Sequence, residues 1–152
     1  FCEALNFVNT YLARKIAGDG EGATALFEVK VVNAASKEEA VILSKSVVTS
    51  SLTKAAIYGH DANWGRVLCA IGYSGADVDV DKIDVAFASK AGEIKVCENG
   101  AGIDFSEEKA KEILLCDEIE ILVDLGMGDV KSTAWGCDLT YEYVKINGDY
   151  RT

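Results

Sequence analysis

The first helix is predicted over residues 3–17, because apolar residues recur there at three- and four-residue steps. The apolar positions are Leu5, Val8, Leu12 and Ile16. Three glycines within residues 18–22 interrupt this pattern, and their tolerance of positive φ favours a turn. The run from residue 25 to residue 32 is rich in β-branched residues and predicts a strand.

Two further helices are predicted over residues 36–48 and 52–58. Ser36 and the glutamate three residues later have the spacing of a capping box, which fixes the start of the first of these helices. Gly59 is a good C′ residue and predicts the end of the second. A polar segment then leads into the apolar run of residues 67–73, which we interpret as a strand.

Strands dominate the prediction for the second half of the chain. Alternation of apolar and polar residues predicts strands over residues 82–88 and 93–98. Two more strands are predicted over residues 118–125 and 130–135. We expect them to form a hairpin across the glycine-containing segment that joins them.

Helices are predicted at two positions among these strands. Ser106 is suited to cap a helix whose first turn carries two glutamates, the charge that the helix dipole favours there. Asp138 is expected to cap a last helix over residues 139–146, which Asn147 and Gly148 would close. The mixed order of helices and strands indicates an α+β fold.

Charge and cysteine content narrow the possible functions. The 152 residues include 25 acidic and 15 basic side chains, and the formal charge of −10 opposes binding to nucleic acid. Attraction of a cationic small molecule and an ordinary acidic surface both fit this charge. No apolar run approaches the roughly 20 residues of a membrane span, so no membrane partner is expected. The five cysteines form no C-x-x-C pair; we expect no metal site, and buried thiols in a reducing, cytoplasmic protein.

Common catalytic motifs do not explain this sequence. It contains no G-x-S-x-G elbow, P-loop, dinucleotide-binding glycine motif or H-E-x-x-H zinc motif. His60 is the single histidine, and a lone histidine in a polar segment is more often a surface residue than a catalytic base. The residues by themselves therefore indicate a soluble α+β chain that is part of something larger.

Four stretches of the chain resemble signature segments of the ornithine acetyltransferases of arginine biosynthesis, the ArgJ family. They are D-G-E-G-A-T at 19–24, Y-G-H-D-A-N-W-G-R at 58–66, A-W-G-C-D-L-T at 134–140 and Y-V-K-I-N-G-D-Y-R-T at 143–152. These stretches occur in the family's order and span nearly the whole chain. The resemblance therefore covers the C-terminal part of the family's β chain.

The resemblance implies a precursor that cleaves itself before a threonine, giving α and β chains. The new N-terminal threonine takes the acetyl group from N2-acetylornithine as an acetyl-threonine ester and passes it to glutamate, and some members also accept acetyl-CoA as a donor. The implied fold is a self-processing N-terminal-nucleophile-like αββα domain with an added C-terminal α/β domain. Residues 1–48 would end the first domain, and residues 49–152 would form the second. No cofactor and no metal are implied.

The nucleophile and the oxyanion hole of this family lie outside these residues, so the resemblance implies no catalytic residue in this chain. Phe1 would then not be the terminus that self-cleavage creates. The implied partners are the α chain and the remaining N-terminal part of the β chain, in αβ units that assemble further into a heterotetramer.

Three substrate contacts follow from the resemblance, namely Glu21, Asn147 and Thr152. The Glu21 carboxylate would bind a substrate ammonium, while the amide and the hydroxyl would form hydrogen bonds with polar substrate groups. Without the resemblance, Asn147 fits a helix C-cap and Thr152 fits a frayed end. A shared site requires the C-terminal tail to fold back beside the loop of residues 18–22.

Two alternatives belong to other classes of protein. A related self-processing aminopeptidase would share the fold and the nucleophile but hydrolyse its acyl-enzyme, and the match to all four stretches argues against it. A non-catalytic ligand-binding domain would act alone. The mass of the intact preparation distinguishes this second case, because it shows whether companion chains copurify.

Overall fold

The computed structural model describes residues 1–150, in which six strands form one mixed sheet and six α-helices accompany it. The helices are α1 (Cys2–Gly18), α2 (Lys37–Thr49), α3 (Ser51–Tyr58), α4 (Trp64–Gly72), α5 (Glu107–Leu114) and α6 (Tyr141–Asp149). The strands are β1 (Leu26–Ala34), β2 (Asp84–Ser89), β3 (Gly92–Glu98), β4 (Ala101–Gly102), β5 (Glu118–Asp124) and β6 (Val130–Cys137). A short 3₁₀ helix at Val80–Lys82 precedes β2. This arrangement confirms the α+β fold class.

The sheet has the strand order β4-β3-β2-β5-β1-β6, so β1 lies between β5 and β6. β1 runs parallel to β5 and antiparallel to β6. β2 runs antiparallel to both of its neighbours, β3 and β5. Strands from both sides of residue 48 therefore share one sheet, and the domain boundary expected there stays a prediction.

One face of the sheet builds the hydrophobic core. Alternate residues of a strand point to the same face, and on β1 the fully buried ones are Phe27, Val29 and Val31. Helix α2 packs on β1 and β6, and its Leu43 and Val47 are fully buried. Helices α4 and α5 contribute to the same core cluster.

The opposite face of β1 carries charged residues and meets α1. Arg14 of α1 donates a hydrogen bond to Glu28 at 2.8 Å, and Lys30 pairs with Glu120 at 2.6 Å. The helix predicted over residues 3–17 is confirmed, but no residue of α1 is buried. Its exposed large apolar residues are Leu5, Phe7, Val8, Tyr11, Leu12 and Ile16.

The strand predicted over residues 67–73 is wrong, because this segment belongs to α4. The Asn63 side chain accepts a hydrogen bond from the Arg66 backbone N–H at 3.1 Å and caps the helix. The buried residues of α4 have the three- and four-residue spacing of one helix face. They are Val67, Ala70 and Ile71. A short apolar run fits a buried strand or a buried helix, and here the cap selects the helix.

The hairpin expected between residues 118–125 and 130–135 is also wrong. Both strands form, as β5 and β6, but β1 lies between them. Strands lie about 4.8 Å apart, so two strands that flank a third lie about 10 Å apart, a distance that a connection of a few residues can span. The crossing needs glycine, since a Cβ on Gly128 would lie 2.3 Å from the Ala34 carbonyl oxygen.

Two helix ends differ from the prediction. Thr140, not Asp138, caps α6, and residues 147–148 lie inside that helix instead of closing it. Gly59 follows α3 as expected, but its φ is −78°. The positive φ falls on His60, at 54°.

Cysteine burial and helix length bear on the expectations drawn from composition. Cys97 is buried, whereas Cys2 and Cys69 are exposed and the other two are intermediate, so the expectation of buried thiols is wrong for most of them. Within residues 1–150, no single helix is long and apolar enough to cross a membrane. The helices α2 and α3 meet that test only as a pair, which is bent by 55°.

Candidate functional site

The pairing of β1 with β6 brings two distant segments of the chain together. Leu26 at the start of β1 is the register partner of Cys137 at the end of β6, and the two strands are antiparallel. The residues just before β1 and the residues just after β6 therefore lie at the same end of the sheet. The loop that precedes β1 contains Glu21, and the helix that follows β6 contains Asn147.

Glu21 and Asn147 are in direct contact, although 126 positions separate them in the sequence. The Asn147 Nδ2 group donates a hydrogen bond to the Glu21 carboxylate at 2.9 Å and another to the Tyr143 backbone carbonyl at 2.9 Å. Both side chains are exposed, so a ligand can reach them. Thr152, the third predicted contact, lies outside the described residues.

Asp138 anchors the loop that carries Glu21. Its carboxylate accepts hydrogen bonds from the Thr24 N–H at 2.8 Å and the Ala25 N–H at 3.1 Å. It also accepts a short hydrogen bond from the Thr24 hydroxyl. Only 4% of Asp138 is exposed. A buried carboxylate is tolerated when its oxygens are hydrogen-bonded, and here all three donors belong to the loop.

Thr140 forms the second anchor of this loop. Its hydroxyl donates a hydrogen bond to the Gly22 carbonyl at 2.8 Å and accepts one from the Tyr143 N–H at 3.2 Å. The sequence prediction missed these roles, since it treated Asp138 as the helix cap and gave Thr140 none. The sequence did contain a signal for these roles, because both residues lie within the 134–140 stretch that resembles the family.

Two glycines allow the loop to lie close against its neighbours. Gly22 has φ +68°, and a Cβ there would lie 2.8 Å from the Cβ of Glu142. A Cβ on Gly20 would lie 2.4 Å from the Cys137 sulfur. Position 22 therefore favours glycine through both φ and packing, whereas a side chain at position 20 would require the Cys137 side chain to move.

A cleft of about 270 Å³ opens beside Glu21. Lys54 of α3 also lines it, and the Lys54 backbone carbonyl accepts a hydrogen bond from the Leu139 N–H at 3.2 Å. The remaining lining residues are Gly20, Thr49, Ser51, Cys137, Asp138, Leu139 and Tyr143. The cleft therefore offers a carboxylate, an ammonium and several hydroxyls, which suits a small charged or zwitterionic molecule. His60 does not line it.

Larger clefts lie along α1, and Glu21 does not line them. One of about 490 Å³ is lined by Arg14, Glu28 and Glu118, among others. Arg14 bonds both of these carboxylates at 2.8 Å, and the Trp135 Nε1–H donates to Glu28 at 2.8 Å. Because these charges already pair with one another, we interpret this region as packing between α1 and the sheet, and we favour the smaller cleft as the site.

A further ion pair, between Lys30 and Glu120, lies on the same face of the sheet. The hydrogen bond to Glu120 raises the pKa of Lys30, against the opposing effect of burial, so Lys30 keeps its charge at neutral pH. Among residues 1–150, no group of three or more histidine, cysteine, aspartate or glutamate side chains is arranged to hold a metal ion.

Comparison with known proteins gives matches over the whole chain. The protein-family model described as "ArgJ family" matches residues 1–152 of this chain. The chain is 57% identical to the arginine biosynthesis bifunctional protein ArgJ of Caldanaerobacter subterraneus subsp. tengcongensis, over 100% of this chain and 38% of that protein. It is 51% identical to the glutamate N-acetyltransferase of Methanopyrus kandleri, over 100% of this chain and 39% of that protein. The chain therefore spans less than half the length of these relatives.

The structural comparison agrees with the sequence matches. A crystal structure of the arginine biosynthesis bifunctional protein ArgJ from Bacillus halodurans superimposes with a TM-score of 0.90 at 48% identity. The alignment covers 97% of this chain and 68% of that chain.

Proposed function

The chain belongs to the ArgJ family, and we propose that it supplies part of the substrate site of an acetyltransferase of arginine biosynthesis. The reaction moves an acetyl group from N2-acetylornithine to glutamate. The names of the two relatives, a bifunctional arginine biosynthesis protein and a glutamate N-acetyltransferase, support this assignment. The observation that carries it is the contact between Glu21 and Asn147 beside an open cleft.

The residues of this chain bind and orient the substrate in this proposal, and none of them reacts. The Glu21 carboxylate holds a substrate ammonium by a charge-assisted hydrogen bond. The Asn147 amide donates to Glu21 and keeps its carbonyl oxygen for a substrate N–H group. Thr152 adds a hydroxyl at the same site. Acetyl-CoA as a second donor is part of the proposal and would use the same acetyl-enzyme.

The reacting groups belong to the remaining polypeptide. A threonine hydroxyl attacks the acetyl carbonyl, giving an acetyl-threonine ester and releasing ornithine. The glutamate amine then attacks the ester, giving N-acetylglutamate and the free hydroxyl. A threonine hydroxyl needs an adjacent base, which a free α-amine provides. Backbone or side-chain donors stabilise the oxyanion of each tetrahedral intermediate.

The proposed partners are the α chain and the remaining N-terminal part of the β chain, in αβ units that form a heterotetramer. The exposed apolar face of α1 supports this, because large contiguous apolar patches usually mark an interface.

A cytoplasmic location also stays a prediction. The aminopeptidase alternative is not favoured by the two named relatives, since neither name describes a peptidase.

The substitution Glu21→Gln in the complete enzyme tests the proposal. It removes the charge but keeps the shape, and loss of a charged hydrogen bond costs about 1.5–3 kcal/mol. We therefore expect kcat/KM for acetyl transfer from N2-acetylornithine to glutamate to fall by about tenfold or more. Self-cleavage, followed by gel electrophoresis, should be largely spared because it precedes substrate binding.

The matched control is Glu107→Gln on α5, an exposed glutamate outside the cleft. It should leave kcat/KM unchanged. Equal activity of the Glu21→Gln enzyme and the unmutated enzyme would contradict the proposed role of the site.

A further inference from the structure

We propose that Asp138 and Thr140 are positioning residues, which hold the loop between α1 and β1 (residues 19–25) so that Glu21 faces Asn147. This inference rests on the proposed function, because it concerns the same substrate site. The side chains of Asp138 and Thr140 form hydrogen bonds with the loop but not with Glu21 itself. Both act on the segment that follows Glu21, at Gly22, Thr24 and Ala25.

The first step is the closed circuit of hydrogen bonds that Thr140 completes. Its hydroxyl joins the Gly22 carbonyl, next to Glu21, to the Tyr143 N–H at the start of α6. The Tyr143 carbonyl in turn accepts from the Asn147 side chain, which also donates to Glu21. Every link measures 2.8–3.2 Å. The Thr140 hydroxyl and the Asn147 amide therefore join the loop to the helix at two points.

The second step is the burial of both anchors beneath exposed site residues. Asp138 and Thr140 are each only 4% exposed, whereas Glu21 and Asn147 are exposed. A glutamate on a free loop would lose conformational entropy each time it held a ligand. Buried hydrogen bonds that fix the loop in advance reduce this cost, as supporting residues do around well-ordered binding sites.

The alternative is that Thr140 only caps α6 and stabilises the fold. A helix cap accounts for the bond from the Tyr143 N–H, but it does not account for the bond to Gly22 or for the three loop donors on Asp138. The two explanations differ in whether the effect on catalysis depends on Glu21.

The experiment compares Thr140→Val with Thr140→Ser in the complete enzyme. Valine keeps the shape and loses both hydrogen bonds, whereas serine keeps the hydroxyl. We expect Thr140→Val to lower kcat/KM by about three- to tenfold, chiefly through a higher KM, and Thr140→Ser to stay within about twofold. The matched control is Thr53→Val, because Thr53 is a buried threonine whose hydroxyl has no partner among the described residues.

A double-mutant cycle with Glu21→Gln decides between positioning and simple stability. If Thr140 acts through Glu21, Thr140→Val in the Glu21→Gln enzyme should lower kcat/KM by less than about twofold. The same loss in both backgrounds would overturn the positioning role while leaving the proposed function standing. An unaffected Glu21→Gln enzyme would instead overturn both.

A second variant covers the case in which Thr140→Val does not fold. Thr24 is exposed, and its hydroxyl donates to Asp138. Thr24→Val should lower kcat/KM in the same Glu21-dependent manner, with Thr24→Ser restoring it. Full activity of a folded Thr24→Val enzyme, or a loss that Thr24→Ser does not restore, would overturn the positioning role.

Discussion

The most direct test of the partner proposal is the cost of Leu12→Ala in α1. Leu12 is 49% exposed in this chain, whereas Leu43 of α2 is fully buried in the sheet core. If the remaining polypeptide covers α1, the two leucines become equivalent in the complete enzyme. If α1 stays in contact with water, they remain different.

The structure sets the size of each effect. Leu43→Ala removes a leucine from a filled core, which costs about 2–5 kcal/mol. Burying a leucine side chain fully contributes about 1.5–3 kcal/mol. Leu12 is only half-buried here, so its truncation in an uncovered helix should cost about 1 kcal/mol or less. Covering α1 should raise that cost to about 2–5 kcal/mol, like that of Leu43.

The measurement is the free energy of unfolding of the complete enzyme and its two variants, from chemical denaturation with a common slope. Hydrogen exchange of the α1 amides gives a local reading of the same change, since a covered helix opens with the protein and an uncovered one frays. Leu43→Ala is the control, because its environment does not depend on other chains. A cost for Leu12→Ala of less than about 1 kcal/mol in the complete enzyme would refute the coverage of α1.

Two further predictions concern stability alone. Thr53→Val should change the free energy of unfolding by less than about 0.5 kcal/mol or stabilise the protein, because it removes a buried hydroxyl without a described partner; a loss above about 1 kcal/mol would contradict this. Burial raises the pKa of Asp84, but hydrogen bonds from the Lys95 ammonium and the Asn99 N–H outweigh it and hold that pKa below its ordinary value of 3.8. The stability from Asp84 is therefore present above pH 3.8 and is lost as pH falls through the lower folded-state pKa. Asp84→Asn should lower the denaturation midpoint at neutral pH, and the gap to the unmutated protein should close in acid; a gap that persists in strong acid would contradict the reasoning.

Local signals in the sequence predicted two of the helix starts that side chains cap, those of α2 and α5. Ser36 accepts from the Glu39 N–H at 3.2 Å, and Ser106 accepts from the Lys109 N–H at 3.1 Å, as the residue types predicted. The reciprocal half of the first capping box does not form, since one Glu39 carboxylate oxygen is buried without a described partner. A cap depends on residues only three positions apart, so the sequence window contains all of the physics that decides it.

Non-local pairing accounts for the wrong hairpin. The wrong hairpin has plausible strands and a plausible turn, but β1 pairs with both strands and separates them. The strand prediction for residues 67–73 was wrong for a different reason. Its apolar run is too short to distinguish helical from extended periodicity, and the decisive Asn63 cap stands in a segment that we had interpreted as a polar connection.

The candidate site shows the same division between local and non-local information. The resemblance to family motifs identified Glu21 and Asn147 as candidate site residues. In the structure the Asn147 Nδ2 atom lies 2.9 Å from the Glu21 carboxylate. Their binding role stays a prediction. The anchors Asp138 and Thr140 could not be assigned from spacing, because their partners lie 114 and 118 positions away. Only the register between β1 and β6 makes them neighbours.

That register is itself held by packing outside the site. A Cβ on Gly136 would lie 2.8 Å from a Val48 methyl group, so β6 lies against α2 at a point where no side chain fits. A shift of two residues would keep the faces of the strand but move Asp138 about 7 Å from the loop. The hydrogen bonds to the loop would then be lost together with the contact between Glu21 and Asn147. The geometry of the site therefore depends on how closely α2 and β6 pack, which explains why a surface site requires an intact core beneath it.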